Sequence, residues 1–164
     1  MNTLQVFTSA HIALEAWARV LVLFHAAAAI VLIGSATHHM IIAWGYLRQH
    51  MKLRLGRIYA QTLAIAYVIT FFFGALAYPT YRYYVRGLFL DRHEQWASVL
   101  FDIKEDLAAL GLPLVMALVI FCRGIDHHTP RPVILSYCAF ATCVCAIVWF
   151  NLFSGLLITL VKGV

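Results

Sequence analysis

The chain has 164 residues, 63% of them hydrophobic and 12% charged, with a formal net charge of +5. A soluble domain is about half apolar and about a quarter charged, so this composition excludes a water-soluble fold and implies a membrane protein. The 12 Lys and Arg fall almost wholly in connections, where they reach lipid phosphates; no basic amphipathic stretch or nucleic-acid module accompanies them, which argues against a nucleic-acid partner.

The opening stretch, MNTLQVFTSAHIALEAWARV, lacks an early basic cluster followed by a short apolar segment, so the first span is expected to serve as its own insertion signal. Four stretches are free of Asp, Glu, Lys and Arg: Val20 to Leu47, Ile58 to Tyr81, Leu107 to Cys122 and Pro132 to Val161. At ~1.5 Å per helical residue against a hydrocarbon core about 30 Å thick, each is read as a transmembrane helix, the third by drawing part of FDIKED into the interface. The expected spans are 18–47, 57–81, 101–123 and 132–161. Alternation of polar and apolar residues is absent, which excludes an outer-membrane barrel. With no internal repeat or linker, the chain reads as one all-α, four-helix, polytopic membrane domain over 1–164.

The first span contains FHAAAAIVLIGSATHHM. His25 and His39 lie 14 residues apart, so at ~100° per residue they share a face to within about 40° and are separated by roughly 21 Å along the axis. His38 points about 140° away. Ala28, Ala29, Leu32, Ser35 and Ala36 lie between them on the shared face. Such a shallow strip admits either a close neighbouring helix or a flat macrocycle.

Two imidazoles at two depths resemble the general plan of dihaem b-type membrane cytochromes, an analogy of spacing. The resemblance implies haem b, with His25 and His39 as iron ligands. No other span contains a histidine, so the second ligand would come from His38, His127 or His128 at one end, from His11, His93 or Met116 for the other site, or from a second chain. The competing readings are an interhelix hydrogen bond, at about 0.6 kcal/mol each, and copper held by imidazoles with Met40, Met51 and Cys122. Zinc hydrolysis lacks its H-E-x-x-H motif.

The connection RQHMKLRLGR carries Arg48, Lys52, Arg54 and Arg57, a density that stays in the cytoplasm and places both termini outside, as in a bacterial inner-membrane protein. Lys and Arg otherwise divide evenly between the two sides, so orientation rests on this loop. Helix 2 is expected to continue through YPTYRYYVRGL with a kink at Pro79 and tyrosines at headgroup level. Helix 3 is expected to begin near Ser98 and to bend at Gly111 and Pro113.

Arg82 and Arg86, four apart, should meet Asp102 and Asp106, four apart, in ion pairs; Glu15 and Arg19 should form another. With Tyr81, Lys104, Glu105 and neighbouring tyrosines, this rim is a candidate dock for a quinone head or a partner protein. The four cysteines form no C-x-x-C or C-x-x-C-H, which excludes covalent c-type haem, and Cys138 and Cys145 are two turns apart, too far for a disulfide.

These features are those expected of a small subunit of a respiratory-type electron-transfer complex, relaying electrons between quinone and a partner redox protein. The alternative is a non-catalytic accessory subunit docking a larger complex, or, behind both, a copper- or proton-handling membrane protein. The leading reading makes the chain a subunit of a redox complex more than an enzyme on its own.

Overall fold

A computed structural model describes residues 14–162. A 3-10 turn, Glu15–Trp17, leads into four long helices: α1 (Ala18–Leu47), α2 (Leu53–Tyr81), α3 (Gln95–Gly124) and α4 (Arg131–Val161). All four are long and apolar enough to cross a membrane. The described residues contain no strand. The chain is an integral membrane protein built as an all-α four-helix bundle.

The helices run up and down in chain order. Helix α1 packs on α2, α2 on α3, α3 on α4, and α4 closes the ring against α1, with α1 and α2 in the most extensive contact. The short connections α1–α2 and α3–α4 therefore share one end of the bundle, here the basic end, and the α2–α3 connection lies at the other, here the rim. The basic end holds Arg48, Lys52, Arg54, Arg57, Arg123 and Arg131 against Asp126 alone, which accounts for the whole formal net charge of +5. The rim end holds six basic and six acidic side chains.

Packing is inside-out relative to a soluble protein. Small residues such as Ala36, Ala43, Ala60 and Ala141 are buried between helices, whereas Leu23, Ile30, Ile120 and Leu160 are 69%, 73%, 69% and 84% exposed. Lipid tails are as apolar as leucine, so helices gain little by hiding leucine from them; close approach over small residues and interhelix hydrogen bonds hold the bundle together. Two reciprocal bonds tie α1 to α4: the Trp44 indole donates to Thr142 Oγ1 at 2.9 Å and the Trp149 indole to Thr37 Oγ1 at 3.0 Å.

Three local features refine the sequence reading. Helix α1 ends in a Schellman turn, with the His50 amide on the Gly45 carbonyl and the Gln49 amide on that of Tyr46, and Gln49 takes the left-handed conformation (φ 64°) that glycine ordinarily fills. Pro79 sits inside α2, and from Arg82 the chain widens into a π-helical stretch, Arg82–Leu90, followed by a single turn, Asp91–His93. Helix α3 begins at Gln95 and stays helical through Gly111 and Pro113. Gly111 makes room for Tyr67, whose hydroxyl donates to the Ala108 carbonyl at 2.8 Å.

Candidate functional site

His39 lies near the basic end of α1 and is 1% exposed. Its Nδ1 is 3.2 Å from the Gly56 carbonyl of α2 and its Nε2 2.8 Å from the Tyr137 hydroxyl of α4. A carbonyl can only accept, so Nδ1 carries the proton, and the neutral ring accepts at Nε2 from Tyr137. One imidazole thereby joins three helices. Tyr137 stacks nearly parallel to Tyr46 of α1, with centroids 6.1 Å apart and planes inclined by 8°. The Tyr46 hydroxyl rests over Gly56, where a Cβ would collide with it, and finds no hydrogen-bond partner among the described residues. Cys122 and Cys138 close the cluster; the Cys138 thiol donates to the Ala43 carbonyl at 3.1 Å.

His25 faces the same neighbour at the other level. Its Nδ1 donates to the Thr70 carbonyl of α2 at 2.8 Å, and the ring lies over Gly74. The shared face of α1 is thus the α1–α2 interface, with Leu32, Ser35 and Ala36 buried between the two rings. Of the two partners that the small-residue strip admits, the structure supplies the helix. The two histidines differ in one respect: Nε2 of His25 has no hydrogen-bond partner among the described residues, whereas both nitrogens of His39 are engaged.

A haem iron needs an open imidazole nitrogen in a gap wide enough for a macrocycle. His39 offers neither, so haem does not fit there. His25 retains the nitrogen, and the bond from its Nδ1 to a carbonyl is the kind that orients metal-ligating imidazoles. The proposed second ligands do not converge on either ring. His38 is exposed, bonds the Gly34 carbonyl of its own helix at 2.7 Å and stacks on Tyr59. His93 is exposed and stacks on Phe89, His127 and His128 are exposed in the α3–α4 connection, and Met116 is 51% exposed on α3. His11 lies outside the described residues. No group of three or more metal-ligating His, Cys, Asp or Glu occurs among the described residues.

At the rim, Arg86 is the centre. It bonds Asp102 through both terminal nitrogens, at 2.7 and 3.0 Å, and lies 3.8 Å from Asp91 and 3.9 Å from Glu105. The Tyr78 hydroxyl donates to Glu105 at 3.3 Å, and Ser98 donates to Asp91. The expected pairing is corrected in two places. Arg82 donates to the Tyr78 hydroxyl at 2.8 Å and covers its ring, because it leaves the helix one turn below Arg86; Asp106 is exposed, one turn beyond Asp102. Glu15 likewise accepts from Tyr84 at 2.6 Å and makes no ion pair with Arg19, because the π-helical stretch after α2 reaches across to it. Tyr81 stacks on Phe101, and the Lys104 stem lies against Gly155 of α4.

Sequence reasoning missed Tyr137, Tyr46 and Gly56, which with His39 make the buried cluster. A glycine at the start of an apolar helix gave a signal, but nothing in one chain pairs it with a tyrosine ten residues earlier. Comparison of the chain with protein-family models, curated proteins and solved structures gives no match.

Proposed function

We propose that this protein is a non-catalytic subunit of a larger bacterial inner-membrane assembly, docked through its charged rim, with the basic end toward the cytoplasm and both termini on the other side. The observation that carries this reading is the contrast in how polar groups are used. Inside the span, His39 spends both ring nitrogens joining helices, while the rim presents a held array, Arg86 with Asp102, Asp91 and Glu105, beside Tyr83, Trp96 and Val99 that are 46%, 50% and 57% exposed. Aromatic and arginine side chains in this arrangement suit a protein interface. The test is the size of the particle extracted from native membranes in mild detergent. The protein mass of the wild-type particle, with bound detergent subtracted, should be well above 18.5 kDa, and Arg86→Ala should shift it toward the free chain while the isolated bundle keeps its thermal midpoint. A wild-type chain that migrates alone, or an Arg86→Ala assembly of unchanged size, sinks the proposal.

The open Nε2 of His25 favours a second reading, haem b bound there with its second ligand supplied by a partner chain in an electron-transfer assembly. An absorption spectrum and pyridine haemochrome of the intact assembly decide it. The haem signal should be lost in His25→Ala and kept in His39→Ala; an assembly with no haem signal ends this reading.

A further inference from the structure

The basic end contains a groove of about 510 Å³ between the start of α2 and the α3–α4 connection. Its lining divides into two chemistries. Lys52, Arg54 and His127 supply its charged and polar groups, and Met51, Leu53, Leu55 and Ile58 its apolar ones. Lys52 and Arg54 are exposed, and none of the six basic residues at this end has a carboxylate within salt-bridge distance among the described residues. The single acid there is already engaged: Asp126 accepts from the Thr129 hydroxyl and the His128 amide, each at 2.9 Å. Leu55 and Ile58, 39% and 48% exposed, begin an apolar track that continues down the outer face of α2 through Ile65 and Phe72.

We infer that this groove is a binding site for an anionic phospholipid, with the headgroup phosphate between Lys52, Arg54 and His127 and an acyl chain along Leu55 and Ile58. Each part of the lining selects for it. The uncompensated positive charge repels a metal cation and attracts a phosphate; the exposed apolar side chains of α2, from Leu55 and Ile58 to Ile65 and Phe72, suit a molecule that is charged at one end and apolar along its length. The placement at headgroup level, where the apolar stretch of α2 begins, brings both ends of the lipid to their partners at once. Basic residues at this level gain from anionic lipid on the cytoplasmic side, so the site gives a counter-charge to two of the six cations at this end, Lys52 and Arg54.

The experiment uses the full chain in neutral detergent, with phosphatidylglycerol or phosphatidylcholine added at equal concentration and bound lipid read by native mass spectrometry. Phosphatidylglycerol should bind in preference, with a matching rise in thermal midpoint, and its affinity should fall with salt. In Lys52→Gln/Arg54→Gln, binding should weaken by about fivefold per cation removed, or roughly 25-fold. Arg82→Gln/Arg92→Gln, which removes the same charge at the rim, should leave it unchanged. Equal binding of the two lipids, an unaffected groove variant, or an equal loss in the rim variant overturns the assignment. So does displacement of phosphatidylglycerol by millimolar inorganic phosphate, which would make this a site for the free ion. Circular dichroism of each variant establishes that the bundle is folded.

Discussion

The two ends of this bundle handle polarity in opposite ways. At the basic end the buried groups are neutral and, the Tyr46 hydroxyl apart, joined by hydrogen bonds, and six cations stand outside with one acid, Asp126, among them and none in a salt bridge among the described residues. At the rim, charge is matched six to six, and the best-held cation, Arg86, is surrounded by three carboxylates. The difference follows from solvent. Between helices in hydrocarbon an unpaired charge is prohibitive, so His39 is held neutral between a carbonyl and a hydroxyl; at the interface, water and headgroups tolerate charge, and pairing there sets shape more than stability. The buried end fixes how the helices cross, and the rim fixes what the bundle shows to a partner.

The sharpest way to break the buried end is at Gly56. A Cβ there meets the Tyr46 hydroxyl and lies 3.2 Å from its Cζ, and Tyr46 is pinned at 1% exposure against Tyr137. Gly56→Ala should cost about 1–3 kcal/mol, as overpacking does, measured by unfolding in detergent. Removing the hydroxyl in Gly56→Ala/Tyr46→Phe should restore most of it; a double variant no better than the single one would show that the two residues are uncoupled.

A smaller effect separates the stacked tyrosines. Tyr137→Phe strips His39 Nε2 of its donor and should destabilise the bundle by about 1 kcal/mol, within the range of interhelix hydrogen bonds in membranes. Tyr46→Phe alone removes a hydroxyl that has no partner among the described residues and should be neutral or stabilising. Equal losses in the two variants would contradict the assignment of the His39 bond.

The smallest expected effect lies in the α3–α4 connection. The hydroxyl of Thr129 and the amide of His128 hold the Asp126 carboxyl below the usual carboxylate range. Since its folded value is depressed, the contribution of Asp126 to loop stability is fully present above the ordinary value of about 3.9 and is lost as the pH falls through the folded value. The His128 amide resonance should therefore titrate with its inflection below about 3.9, and Asp126→Asn should abolish the transition. An inflection at or above the ordinary value would remove the two bonds from the account.

Much of the architecture is legible in the chain. Three uncharged stretches longer than the hydrocarbon is thick, and a fourth that reaches that length with part of FDIKED, point to four spanning helices, and α1 occupies the expected 18–47. Helical structure continues past α2 through the π-helical stretch, and α3 begins well before its uncharged core; there Arg86 meets Asp102 and Glu105, which a count of charges along the chain registers as interruption. That Arg86 would meet Asp102 follows from helical spacing; that Arg82 would turn to Tyr78 does not, since it depends on the π-helical register after Pro79.

The histidines mark the boundary between the two kinds of knowledge. Their types and spacing placed His25 and His39 on one face of α1 and required each to be held by something specific, because a polar ring in hydrocarbon must find a partner. What holds them was decided only by tertiary structure. The glycines of α2 let α1 approach closely enough for both rings to reach α2 carbonyls, and α4 delivers Tyr137 to one ring and nothing to the other. Partner identity is a property of distances across helices. A single chain's periodicity fixes which face a side chain occupies, and the packing of its neighbours fixes what that face meets.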